Sequence, residues 1–298
     1  MSPMPRIARA FAIVLLALAA LVLTLGVHGY GLLQGAEDRE VLPLRVRPDP
    51  ALAARGRHLA ELSCAQCHSP DGSLPLAGGR SNFLHDPGGP DFGTLTAPNL
   101  TPASRLAHVT DPALARAIRE GIGFDRRPML VMPSGDFRGL SDRDLSALVS
   151  YLRAQPAVAD TPVARRISAL AYLVLGMQAL ETSLQRPVTK PVPAVPEAPT
   201  PQYGEYLVDF LGCAGCHGQD FRGGRSPLIP RGPDLRPATS GDSPAALALA
   251  LREGIGTNGR ALDPRLMPWT SLRHLTDVEV RAIAQHLRRQ TGKARPGS

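Results

Sequence analysis

The hydrophobic pattern of the chain opens with one long apolar run. From Ala10 to Ala36 there is no Asp, Glu, Lys or Arg, and Phe11 to Leu33 supplies 23 residues of almost continuous apolar character. At helical rise that length crosses a hydrocarbon core, so a transmembrane helix is predicted. Beyond it the pattern becomes amphipathic. Leu145, Leu148, Val149 and Leu152, and again Val280, Ile283, Ala284 and Leu287, recur three and four residues apart, which predicts two helices with one buried face each. Each opens on a capping box, Ser141 with Asp144 and Thr276 with Glu279. Two further helices start at Asp111-Pro112 and Ser243-Pro244, a cap followed by proline in the first turn, and end at a glycine stop, Gly121 and Gly254. Arg165 to Gln185 also reads as a helix. Its apolar centre, Ala169 to Leu180, is too short to span a membrane, and a place in the groove between domains is predicted ahead of one on the membrane surface. Pro187 to Pro201 is rich in proline and predicts an extended, semi-rigid spacer.

These elements repeat. Gly56-Arg57-His58-Leu59 precedes Cys64-Ala65-Gln66-Cys67-His68, and Gly204-Glu205-Tyr206-Leu207 precedes Cys213-Ala214-Gly215-Cys216-His217. Ala97-Pro98-Asn99-Leu100 answers to Gly232-Pro233-Asp234-Leu235, and Arg119-Glu120-Gly121-Ile122-Gly123 recurs unchanged at 252–256. Each copy carries a Met-Pro pair, Met132-Pro133 and Met267-Pro268, placed 34 residues after Pro98 and Pro233 respectively. The expected organisation is an anchor or signal segment over 1–36, a first domain over 50–156, a connecting helix and spacer over 157–201, and a second domain over 202–291. The copies differ mainly in a glycine-rich insertion, Ser69 to Ala97, expected to wrap one edge of the first site.

Composition narrows the class. Gly and Pro are abundant and aromatic residues make up only 4%, which suits short helices joined by loops. The formal charge of +7 is spread along the chain without basic clusters interleaved with aromatics, which argues against a nucleic-acid partner. Arg6 and Arg9 lie before the apolar run and Glu37 and Asp38 after it. The positive-inside rule then leaves the N-terminus in the cytoplasm and the rest outside, whether as an anchor or as a cleaved signal; Gln34-Gly35-Ala36 makes a poor cleavage site, and the anchor is favoured.

All four cysteines fall in the two Cys-x-x-Cys-His runs, the pattern of covalent c-type haem attachment: two thiols bond the vinyl groups and the adjacent imidazole reaches the iron. Cys64, Cys67, His68 and Cys213, Cys216, His217 are therefore the expected haem residues. A disulfide scaffold or zinc site would leave both histidines unexplained. For the opposite face of each iron the choices are Met132 and Met267. Met129 misses the common spacing by three residues, Met177 sits in an apolar stretch, and Met1 and Met4 precede the anchor. Among the histidines, His58 and His286 fall at positions where the other copy has Tyr206 and Tyr151, so a second histidine ligand is disfavoured. Pro98 and Pro233 are expected to bring a backbone carbonyl to the second ring nitrogen of the proximal histidine. Asn99 and Arg126 or Arg127 are possible propionate contacts, with solvation the equal alternative.

The haem motif, Ala97-Pro98-Asn99-Leu100-Thr101-Pro102, Arg119-Glu120-Gly121, Met132-Pro133 and Leu140-Ser141-Asp142 together resemble the class I cytochrome c domains of membrane-bound dihaem cytochromes. They are similar in particular to the cytochrome c subunits of bacterial periplasmic alcohol and aldehyde dehydrogenases. The resemblance implies an all-α fold of two tandem class I cytochrome c domains after an N-terminal transmembrane helix, with two covalent haems c and His/Met iron. It implies an electron carrier of the inner membrane with its haem domains on the periplasmic side. The donor would be a dehydrogenase or quinol-oxidising complex and the acceptor a cytochrome or oxidase. A dihaem peroxidase is the alternative, but it needs one iron to lose its ligand, and both copies keep Met-Pro. The chain has two haem motifs where those dehydrogenase subunits commonly have three.

Overall fold

The computed structural model describes residues 6–35, 42–47, 49–85, 87–159, 161–224, 231–235 and 244–291. The segment boundary near Glu37, the helix-opening Ser243, and Met1 and Met4 lie outside them. The architecture is helical. Helix α1 (Arg6–Gln34) has 29 residues, and no residue of its most apolar stretch is buried.

In the first repeat α2 (Pro50–Leu59) starts at Asp49, whose carboxylate accepts the N–H groups of Ala51 and Leu52. It passes through a π-helical turn, Ala60–Cys64, into α3 (Ala65–His68). Helix α4 (Asp111–Glu120) is capped by Thr110, one residue earlier than the sequence suggests. Asp111 instead accepts the Val46 N–H and pairs with Arg153. Gly121 ends α4 in the left-handed region at φ 69°, as a glycine stop requires. Helices α5 (Ser134–Phe137) and α6 (Asp142–Ala154) complete this repeat.

After α7 (Ala169–Gly176) the pattern returns in α8 (Pro201–Phe210), α9 (Cys213–His217), and α10 (Ala245–Ala248) with its π-helical turn Leu249–Glu253. Helices α11 (Trp269–Leu272) and α12 (Asp277–Thr291) follow. In both repeats a mid-helix glycine permits the main crossing. A Cβ on Gly56 would lie 1.8 Å from the Ala147 carbonyl oxygen of α6, and one on Gly204 2.0 Å from that of Ala282 in α12. The only strands among the described residues are β1 (Gly93–Thr94) and β2 (Arg166–Ile167), an antiparallel pair.

One apolar core runs through both repeats, from Leu59, Leu148 and Val149 to Leu207, Ile283 and Leu287. Across the junction the repeats face each other about an approximate two-fold axis. His58 bonds the Glu279 carboxylate at 2.9 and 3.0 Å, while Tyr206, its counterpart in the other copy, donates to Asp144 at 2.7 Å. Asp144 and Glu279 are themselves the equivalent residues of the two capping boxes. On the axis Arg55 meets its own counterpart, Tyr203, and its guanidinium also takes both oxygens of Asp144 at 3.0 Å and approaches Glu279 at 3.5 Å. Burial alone would weaken the hold of Arg55 on its proton; the bond and charge of Asp144 outweigh it and raise the pKa. Burial likewise would raise Glu279, but His58 and the Thr276 N–H and hydroxyl bring it down to about 2.

A second core corrects two expectations. Leu33, Leu84, Leu130 and Leu175 form it, with Phe92, Leu95, Ile167, Tyr172 and Leu180 packed around them. The connecting helix thus spans only Ala169–Gly176 and lies along the end of α1, not in the groove between the repeats. Gly29 and Gly176 make this approach possible, since a Cβ on either would fall within 2 Å of a carbonyl oxygen of the other helix. Tyr30 and Tyr172 meet edge to face at 5.3 Å. The insertion is also divided: Gly78 and Gly79 stay beside the haem motif, whereas Leu84, Phe92 and Leu95 belong to this second core. Nor is the start of the spacer free, because residues 183–192 are laid along the first repeat by main-chain bonds.

Candidate functional site

Cys64, Cys67 and His68 come together where the π-helical turn passes into α3, and Cys213, Cys216 and His217 occupy α9. All four cysteines are unbridged thiols, and burial pushes those of Cys64 and Cys213 up to about 12. Each imidazole is held from behind. His68 Nδ1 lies 2.9 Å from the Pro98 carbonyl oxygen and His217 Nδ1 2.8 Å from that of Pro233. A carbonyl only accepts, so Nδ1 carries the proton and Nε2 keeps the lone pair that a metal needs. Burial lowers the pKa of His68, against the pull of the Pro98 bond, and so favours the neutral ring.

Behind each motif lies a glycine pair that sequence reasoning passed over. The N–H groups of Gly78 and Gly79 bond the carbonyls of His68 and Ala97; those of Gly223 and Gly224 bond His217 and Gly232. A Cβ on Gly79 or Gly224 would fall 2.1 or 2.0 Å from the Cys67 or Cys216 carbonyl oxygen. The recurring Gly-Gly dipeptide was the available signal, hidden by the unequal loops.

The methionine turns match in detail. Pro133 and Pro268 have φ, ψ of −80°, 55° and −77°, 51°, and the carbonyls of Met132 and Met267 accept from Ser134 and Trp269. Both methionines are half-buried at the margin of the main core. Met129 occupies a different place: its N–H bonds the Gly121 carbonyl as that of Leu262 bonds Gly254, so its counterpart is Leu262. The equal 34-residue spacing therefore hides two offsetting changes, a second repeat two residues shorter before Arg252 and two longer after it. Val131, next to Met132, sits at φ 74°, a strained conformation for a β-branched residue.

Other polar and aromatic side chains near the two units are committed elsewhere. Asn99 is buried, donating to the Val158 carbonyl and accepting from the Thr101 N–H, so it is not solvated. His58 is engaged by Glu279, and His286 packs edge-on to Phe221 at 5.8 Å. Trp269 donates to the Leu262 carbonyl at 3.1 Å and lies against Gly254.

Each repeat thus offers two thiols and an Nε2 from one short helix, with a thioether on a proline turn in the same unit. Those donors suit a covalently held haem, and they define a cytochrome c unit built twice. Residues 53–156 and 202–291 match the sequence model of the Cytochrome c family, and the chain belongs to that family. It is 34% identical over 175 residues to a nicotinate dehydrogenase subunit of Pseudomonas putida, covering 56% of this chain and 14% of that protein. It is 28% identical over 258 residues to the fructose dehydrogenase cytochrome subunit of Gluconobacter japonicus, 80% of this chain and 49% of that one. With the gluconate 2-dehydrogenase cytochrome c subunit of Pantoea cypripedii it shares 31% identity over 176 residues, 56% of this chain and 38% of that one. The chain spans less than half the length of these relatives. Nothing in them supports the peroxidase alternative.

Proposed function

We propose that the chain is a dihaem electron carrier, with one haem c on Cys64 and Cys67 and the other on Cys213 and Cys216. His68 and Met132 hold the first iron, His217 and Met267 the second. A bound haem supplies a one-electron iron couple. The residues around it attach it, orient the imidazole through Pro98 or Pro233, and leave no ligand position for a substrate. The observation that carries this reading is the duplicated pair of imidazole and methionine turn. The donor is a periplasmic or membrane dehydrogenase, or a quinol-oxidising complex, and the acceptor a downstream cytochrome or terminal oxidase.

Helix α1 anchors this carrier in the inner membrane, with both repeats on the periplasmic side. The second core supports retention of the segment, because Leu33 is fully buried in it and cleavage would expose Leu175 and Leu130.

The ligand assignment is tested in the full-length holoprotein. Met132→Ala is expected to abolish the red-edge charge-transfer band of one haem and lower its potential, and Met129→Ala to leave both unchanged. The reverse result, high-spin signal from half the iron in the wild type, or prompt carbon monoxide binding by its reduced form at neutral pH would overturn the reading.

A further inference from the structure

The strap at 183–192 lies on a track of bonding groups in the first repeat, and the second repeat keeps that track. On the first repeat Gln185 N–H donates to the Glu120 carbonyl at 2.8 Å and Val188 N–H to the Glu120 carboxylate at 2.8 Å. Arg138 donates to the Pro187 carbonyl at 3.2 Å, while Asp142 gives its N–H to the Val192 carbonyl and takes the Val192 N–H on its carboxylate. Each of these bonds uses the main chain of the strap. Beneath it Ala115, Arg116, Arg119 and Glu120 are all buried.

The equivalent groups are Glu253 for Glu120, Arg273 for Arg138 and Asp277 for Asp142. They are held in the same way: Arg119 bonds the Leu140 carbonyl and Asp142, and Arg252 bonds the Leu275 carbonyl and Asp277. Yet among the described residues nothing lies on them. Glu253, Arg273 and Asp277 are exposed, and Leu249, which replaces Arg116, is 46% exposed in a shallow groove with Ala248, Arg252 and Glu253. Among the described residues only the first position is taken, by Trp269. A Cβ on Gly121 would strike the Ser183 carbonyl, whereas one on Gly254 would strike the Trp269 indole, which also takes the Leu262 carbonyl as Ser183 N–H takes that of Met129.

We propose that this track on the second repeat seats an extended segment of the dehydrogenase's catalytic subunit, about eight residues long and apolar where it crosses Leu249. The strap of this chain is already engaged in cis on the first repeat, so a second copy has no strap to lend, and the proposal assigns the segment to the dehydrogenase partner. The proposal rests on the dehydrogenase partnership argued above.

The test uses full-length protein purified from its own membranes, with a photo-crosslinking benzoylphenylalanine at position 249. The crosslink is expected on one short segment of the dehydrogenase subunit. Leu249→Arg and Arg273→Glu are expected to reduce the dehydrogenase retained on the cytochrome at least ten-fold with haem content and spectra unchanged, whereas Leu170→Arg, on α7, leaves it unaltered. If the dehydrogenase co-purifies equally with all variants, or the crosslink lands on residues 236–243 or 292–298 of the chain or on a second copy, the seat is wrong and the partnership stands. If the wild type retains no dehydrogenase, both are wrong.

Discussion

The two repeats share a framework and part company at their edges. Both cross at a helical glycine, both hold an imidazole on a proline carbonyl, and both turn a methionine out on proline. Their capping boxes then diverge. Thr276 and Glu279 close a full box, the Thr276 N–H reaching the carboxylate at 2.8 Å. In the first repeat Ser141 caps Asp144, but its own N–H goes to the Tyr206 hydroxyl, and the Asp144 carboxylate turns to Arg55 and Tyr206. A local helix-start device has become half of a junction between repeats. Positions that set backbone geometry around the site are kept, while positions that decide what packs on the outside are free to change.

That comparison is broken most severely at Arg55. Its side chain is 11% exposed and faces Asp144 and Glu279, at 8% and 3%. Arg55→Ala leaves both acids buried with less compensation and is expected to destabilise the protein by about 3–5 kcal/mol, read as a fall in unfolding free energy in denaturant. A loss below about 1 kcal/mol would show that the junction adds little.

Acid sharpens the difference between the two boxes. Glu279 has its folded pKa lowered to about 2, so it stabilises the fold above the ordinary carboxylate range, and that contribution disappears as pH falls from about 4.5 towards 2. The expected loss is about 3 kcal/mol, measured by denaturant unfolding across that window, and His58→Gln should make it smaller. A flat profile in the wild type would show that Glu279 is not held low.

The smallest effect is at the tyrosine side of the junction. Tyr206→Phe removes a hydroxyl bonded to Asp144 and to the Ser141 N–H and should cost about 1 kcal/mol without altering the acid profile. An altered profile would mean that the two halves of the junction titrate together.

Much of this was legible because it is written in short-range spacing. The Cys-x-x-Cys-His runs, the glycine stops and the capping residues each act over a few residues, so the helix ends and the candidate residues could be marked directly, and the resemblance those motifs carry implied the fold class. The equivalence of His58 and Tyr206 was visible too, but not its purpose, since the partner of each lies on the other repeat. Helix α7 shows the same limit: nothing within Ala169–Gly176 says that its neighbour is α1, because that choice depends on Gly29, about 140 residues earlier. Thr110 displaced Asp111 as cap because Asp111 had a tertiary task, binding Val46 and Arg153. The strap reads as a free spacer for a related reason. The bonds that seat it at 183, 185, 187, 188 and 192 are made by its main chain, which leaves no mark on side-chain pattern.

The meeting of Arg55 with Tyr203 on the axis bears on how such a protein arises. An assembly of two identical chains puts the same residue on both sides of its symmetry axis, and an arginine there would confront a second arginine. Covalent duplication lifts that restriction, since each copy can mutate separately. One cation then serves both acids, Asp144 and Glu279, with a tyrosine opposite it where self-association would have enforced like-charge repulsion. The isologous contact is also closed: its self-complementary surface is used up by two units, so further copies cannot be added through it to extend the array.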